Sequence, residues 1–391
     1  MNKFKSDAIM IIITILFSIA IFLCSKNIYS GGFIADKLSK NVEYCKATVT
    51  SIINESLEKD QYLNNVQIGS QTISLEISSG DLKGNEYEIV NRISRLYNYK
   101  VNEGTKVIVG IYRKDGEISD LSIYSYDRSG ALIGIISIFL AVIIIIGGIR
   151  GLKAIVSLIF TIVSIIYLMI PLMLRGVSPI FSAIIIAILS VVITMILISG
   201  KSKKTIVAIL GTILGVIISG TIALVFGKLA HLSGITMEDA ESIMYIAEGT
   251  GLKVTGIMFA GILVASLGAV MDVAMSISSS VFEIYQINPN RSSKELFISG
   301  MNIGRDVIGT MANTLILAFA GGSLTTLLMI FTSSMTADQL FNIDIVGTEI
   351  IQGVAGSIGI VLTVPITALI ASYLYKSEIR NKHKNYKVVK S

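Results

Sequence analysis

Eight stretches of this chain are apolar over a length that can cross a bilayer, which takes roughly 17–25 residues. They run approximately over residues 8–24, 131–149, 154–174, 179–199, 205–226, 254–271, 307–332 and 350–375. A soluble domain is about 25% charged. This chain of 391 residues is 15% charged and 52% hydrophobic, so an ordinary soluble enzyme is excluded at the outset.

The charges between the runs set a direction. With the N-terminus in the cytoplasm and the spans alternating, the inner segments hold Lys3, Lys5, Arg150, Lys153, Lys201, Lys203, Lys204, Arg291, Lys294, Arg305 and the tail residues from Lys376 onward. The outer loops hold Arg175, Lys228 and Lys253 against the acids Glu238, Asp239, Glu241, Glu248, Asp338, Asp344 and Glu349. This asymmetry follows the positive-inside rule. The expected topology is eight spans with both termini inside. The first run ends at Leu23-Cys24-Ser25, without an A-x-A-like cleavage site. Residues 1–30 therefore read as an uncleaved signal anchor.

Residues 31–128 break the apolar pattern with charges of both signs. Strand-like runs lie at 45–53, 66–77, 87–90, 105–112 and 118–124. Thr72-Ile73-Ser74-Leu75-Glu76-Ile77 alternates with period two, as a half-buried strand does. Turn signals fall at Ile68-Gly69-Ser70, Ser79-Gly80-Asp81, Glu103-Gly104-Thr105 and Lys114-Asp115-Gly116. Five short strands in this length predict a small closed all-β barrel, OB-like or SH3-like, on the outer side. The mixed charge lacks the basic face that nucleic acid needs. The expected organisation is then the anchor at 1–30, the β-domain at 31–128, a seven-helix membrane domain at 129–376 and a basic cytoplasmic tail at 377–391.

Several helices carry packing signals. Gly211 and Gly215 are four apart, and Gly309 sits in a later span; small residues at such positions let helix backbones approach closely. Pro365 falls inside the last apolar run, where proline removes a backbone donor and commonly kinks a helix. Pro171 and Pro179 bracket an outer turn, with Ser178 placed to cap the helix that Pro179 opens.

The polar constellation lies elsewhere. Asp272, Ser276, Ser279 and Glu283 recur at helical spacing, and so do Asn302, Asp306, Gly309 and Asn313, with Arg305 flanking the second set. At 100° per residue each set shares one helix face. Charges in lipid are expensive, so the two stripes are expected to turn inward and meet, pairing Asp272 with Arg305 or with Asn302. One reading makes Asp272, Ser276, Ser279, Glu283, Asn302, Arg305, Asp306 and Asn313 a path for an ion or small polar solute. The other makes them polar glue holding a helical hairpin together.

The block from Gly268-Ala269-Val270-Met271-Asp272 through Ser276-Ile277, then Asn288-Pro289-Asn290, Ser299-Gly300-Met301-Asn302-Ile303-Gly304-Arg305-Asp306, Gly309-Thr310-Met311-Ala312-Asn313 and Gly321-Gly322-Ser323-Leu324, resembles the signature of the YibE/F family of bacterial multi-pass membrane proteins. The β-domain, Gly211-Thr212 and Phe226-Gly227-Lys228-Leu229-Ala230 are similar too. The resemblance implies an integral membrane protein of the bacterial cytoplasmic membrane and gives weight to the Asp272/Arg305 block. It implies no particular activity.

Enzyme motifs fail. Gly200-Lys201-Ser202 imitates the end of a phosphate-binding loop, but Met195 stands where its first glycine belongs. No H-E-x-x-H and no Gly-x-Ser-x-Gly elbow occurs. Two cysteines, Cys24 and Cys45, and two histidines, His231 and His383, support no disulfide framework or zinc site. No catalysis, metal or cofactor is expected. The leading expectation is a transport or permeation protein; the alternative is a sensor or scaffold whose β-domain binds an envelope component. The expected partners are the lipid bilayer, an ion or small polar solute, and a second copy or related membrane protein.

Overall fold

The computed structural model describes residues 2–28, 42–63, 65–114, 117–232 and 240–388. It falls into two compact units, Gly31–Val142, and Met1–Ser30 together with Ile143–Ser391. Asp115, Gly116, Glu238 and Asp239 lie outside the described residues, as do the side chains of Lys3, Lys5 and the tail beyond Lys376.

In the first unit five strands form one antiparallel sheet: β1 (Val42–Lys59), β2 (Gln67–Ile77), β3 (Glu86–Ile93), β4 (Lys106–Lys114) and β5 (Glu117–Tyr126), in the order β3-β2-β1-β4-β5. The period-two alternation does what it must. Ile73, Leu75 and Ile77 of β2 meet Val107, Val109 and Ile111 of β4 and Cys45, Ala47 and Val49 of β1 in one core. Burying such aliphatic chains contributes about 1.5–3 kcal/mol each. Buried Gln71 accepts from the Val101 amide and donates to its carbonyl, both at 3.0 Å, which ties the segment before β4 onto the sheet.

Two expectations change here. The barrel is not closed by hydrogen bonds: β3 and β5 approach one another, but among the described residues no ladder joins them. The facing edges carry Glu88 and Arg92 on β3 and Asp120 on β5, and charged edges resist strand pairing. Gly69 marks no turn either. It lies within β2 at φ 140°, where an added Cβ would collide with the Ser56 carbonyl of β1, so glycine serves close strand contact.

The rest of the described chain is helical; the helix that starts at Ser129 begins in the first unit and runs into the second. In order come α1 (Asn2–Ile28), α2 (Ser129–Ser164), a π-helical turn (Ile165–Met169), α3 (Ile170–Leu174), α4 (Pro179–Ser199), α5 (Lys203–Leu229), α6 (Ala240–Glu248), α7 (Ile257–Ile287), α8 (Ser293–Gly322), α9 (Leu324–Thr332), α10 (Ala337–Phe341) and α11 (Asp344–Val388). Among the described residues seven elements are long and apolar enough to cross a membrane. One of them, Ser129–Leu174, has 46 residues. It is broken at Gly148, whose φ of 54° and ψ of −132° are not helical. An added Cβ at Gly151 would collide with the Ile143 carbonyl, eight positions back. In a straight helix those residues stand about 12 Å apart, so the chain reverses at Gly148 into two apolar helices.

The turn around Pro171 also differs from expectation. Pro171 sits inside the helix and lacks the N–H an α-helix would use there; the π turn, closed by the Ile170 amide on the Ile165 carbonyl, immediately precedes it. The chain then turns over Arg175–Ser178, and Ser178 makes no side-chain cap to α4.

The bundle centres on α11. Its Thr367 and Thr363 fill the space over Gly211 and Gly215 of α5, where a Cβ would collide with each hydroxyl. Its Ala368 and Val364 fill the space over Gly300 and Gly304 of α8. Pro365 lies within α11 and the helix runs on through it.

Candidate functional site

The inward face of α7 carries Val270, Val273, Ala274, Ile277 and Val281, all buried. Two positions further round a helix is about 200°. Asp272 stands two after Val270, and Ser276 two after Ala274, so they point out of the bundle; both are exposed, as is Glu283, with Ser279 half-buried. On α8 the inward face is Leu296, Gly300 and Gly304. Asn302 and Asp306 stand two after those glycines; they are exposed, as are Arg305, Gly309 and Asn313.

The stripes therefore face outward and do not meet. Arg305 Nη1 donates to Asn302 Oδ1 at 3.4 Å, one turn back on its own helix, and among the described residues Asp272 makes no ion pair with it. The seam between α7 and α8 goes to apolar contact, with Ile277 and Val281 reaching the two glycines of α8. This corrects the expected Asp272–Arg305 pair. The reason is geometric: each helix has an apolar face and a polar face, and the apolar pair packs more tightly because glycine brings the backbones together. It also corrects Gly309 as a close-packing position: among the described residues nothing lies within 4 Å of an added Cβ there. A charge at the centre of a spanning helix costs about 2.5–3.5 kcal/mol on insertion scales, so Asp272, Arg305 and Asp306 do not suit a lipid-facing surface.

The polar groups that do hold the helices together are others. Tyr375 Oη and Ser278 Oγ lie 2.8 Å apart, and Ser278 Oγ donates to the Lys204 carbonyl at 2.7 Å, joining α11, α7 and the first turn of α5. Phe282 and Tyr285 pack on the Tyr375 ring. Lys153, placed by charge pattern at the inner edge of a span, is buried and pairs with Asp7 of α1 at 2.6 Å. Lys376 donates to the Arg291 carbonyl at 2.8 Å, which fixes the α7–α8 turn to α11. The helical spacing picked out Ser276 and Ser279 and passed over Ser278, and nothing in it singled out Tyr375 or Lys204.

Among the described residues no group of three or more histidine, cysteine, aspartate or glutamate side chains could hold a metal. Cys24 and Cys45 are free.

A bundle of long apolar helices with a separate N-terminal β-sheet defines a polytopic helical membrane protein. The chain belongs to the YibE/F family: the YibE/F-like protein family matches residues 135–377 and the YibE/F family N-terminal domain matches residues 42–126. No curated protein and no solved structure matches it.

Proposed function

We propose that this membrane protein passes an ion or small polar solute across the bilayer along the polar faces of α7 and α8, without catalysis. One observation carries the reading: Asp272, Ser276, Glu283, Asn302, Arg305, Asp306 and Asn313 are not used to hold the two helices together, since that seam is apolar. Polar glue would lie between the helices. Polar residues kept inside a membrane and left out of packing mark solute and ion pathways. The charge pattern adds an orientation, with both termini in the cytoplasm and the β-domain outside a bacterial cytoplasmic membrane.

A second reading, a sensor or scaffold, draws on the β-domain. The cleft of about 640 Å³ between β3 and β5 presents Glu88, Arg92 and Asp120, charges of both signs that a polar partner could meet. Flux of monovalent cations, anions and protons in liposomes holding the purified protein separates the readings. Flux above that of empty liposomes, lost in Asp272→Asn, is expected. A folded protein that conducts none of the three leaves the scaffold reading.

A further inference from the structure

We infer that the outward face of α7 and α8 is where two copies of this chain meet, with Asp272 of each copy opposite Arg305 of the other. The inference names the partner that completes the face described above and rests on that reading.

Exposure alone would not carry it. The span of α2 is as open as that of α8, with none of its most apolar window buried and 6% of that of α8. The open face of α2 is Ile133, Ile135, Ile138, Ile145 and Ile146, which lipid satisfies. The open surface of α8 carries, beside Ile298, Ile316 and Leu317, the polar residues Asn302, Arg305, Asp306 and Asn313, which lipid does not satisfy. The two surfaces need different surroundings, and only the second needs protein or water.

The relief of the surface leaves room for protein. On α7, Gly261, Ala265, Gly268, Asp272 and Ser276 line one exposed side at helical spacing. Added Cβ atoms at Gly261, Gly268 and Gly309 would meet nothing, whereas Gly211, Gly215, Gly300 and Gly304 are each covered by a side chain of a neighbouring helix. Gly130, Gly134 and Gly147 of α2 are uncovered as well, so what sets α7 and α8 apart is that their uncovered glycines lie on the helices that carry Asp272, Arg305 and Asp306. A low surface of this kind admits a second backbone at close range.

The charges select the partner. Asp272 and Arg305 have opposite signs, lie on adjacent helices at similar distances from the turn that joins them, and form no ion pair among the described residues. A two-fold axis sets each beside its opposite on the other copy, twice, and closes the contact. A second copy carries the required complement by construction.

The test is disulfide cross-linking of the full chain in native membranes. In a Cys24→Ser background, Gly268→Cys and Gly309→Cys each add a thiol where a side chain has room, and Ile135→Cys on α2 serves as the control surface. Oxidation is expected to give a covalent dimer from one or both face positions and none from Ile135→Cys. Co-purification of two differently tagged copies then reads the charges. Asp272→Arg or Arg305→Asp alone is expected to weaken association at least about a hundredfold, and the double exchange to restore it. Monomers at both face positions, or association indifferent to the single exchanges, overturn the inference. Capture of a different membrane protein by these positions, in place of self, overturns it too. Flux measured on the same preparations keeps the two readings apart: a dimer without flux refutes transport alone, and flux through a chain that stays monomeric refutes the interface alone.

Discussion

A lysine side chain 7% exposed inside a helical bundle needs a counter-charge, and Lys153 finds one in Asp7. Removing one partner of a buried pair costs about 3–5 kcal/mol, while replacing both can be nearly neutral. Lys153→Met and Asp7→Asn are each expected to lower the unfolding temperature in detergent, and the double variant to recover most of it. Circular dichroism is the readout, because the chain has no tryptophan. Two independent losses with no recovery would show that the pair does not couple α1 to the bundle. The α5–α11 seam makes a second case. An added methyl at Gly211 strikes the Thr367 hydroxyl, and among the described residues that hydroxyl has no hydrogen-bond partner to lose. Gly211→Ala is expected to destabilise by about 1–3 kcal/mol, as overpacking does, and Thr367→Ala to rescue it. Stability of the double variant below that of Gly211→Ala would refute the contact. The two cases differ in legibility. Glycines four apart announced a close approach; the partner of Lys153, far away in the chain, could not be read from any spacing.

At the scale of elements, the sequence marked all five strands and most of the long apolar helices, because periodicity and run length are local. The run expected at 307–332 was misplaced, since α8 covers Ser293–Gly322, its polar first half hides it from an apolar count, and the chain breaks at Ser323 before α9. It missed the direction of the α7 and α8 polar faces. Spacing fixes the angle between Asp272 and Ser276, but not which of two opposite faces turns inward, and in a membrane the inward face need not be the polar one. Closure of the barrel was misjudged for a related reason: strand count suggests a ring, while the charges on β3 and β5 decide whether its last seam forms. The β-domain supports a prediction of its own. Asp127 accepts hydrogen bonds from the Ser129 amide and hydroxyl and pairs with Lys46 at 3.0 Å. These contacts hold its carboxyl down at about 2, from an ordinary 3.8. Glu55, beside Gln71 and Lys100, and Asp60, beside Arg95, are lowered in the same direction. A carboxylate whose folded value lies below its unfolded one stabilises the fold above the unfolded value and loses that contribution as pH falls toward the folded one. A fragment of residues 42–130 is expected to be strand-rich and soluble. Its urea midpoint should hold from neutrality down to about pH 4 and fall between about pH 4 and 2. Asp127→Asn should lower the midpoint at neutrality and flatten that fall. An unchanged acid slope would remove Asp127 from the account, and a helical spectrum would remove the domain.

At the scale of the whole molecule, the 46 residues of Ser129–Leu174 decide the count of spans. As one straight helix they would reach about 69 Å, more than twice the roughly 30 Å hydrocarbon layer. The break at Gly148 divides them into two lengths that each suit one crossing, and Arg150 and Lys153 follow at once. If the chain crosses twice there, Gly148 lies on the basic, cytoplasmic side and seven apolar elements make eight spans. Impermeant maleimide on intact cells tests this in a Cys24→Ser background. Cys45 stays silent, since it is buried and burial raises its thiol above the ordinary value. Leu96→Cys in the β-domain and Thr250→Cys after α6 are expected to label from outside. Gly147→Cys and Asn290→Cys are expected to label only after permeabilisation. Labelling of Gly147 from outside, with Asn290 still protected, would reduce the element to a single crossing and displace the β-domain to the other side. Labelling of Asn290 from outside would invert the α7–α8 hairpin and carry Arg291 and Lys294 across the membrane, against the charge asymmetry on which the orientation rests.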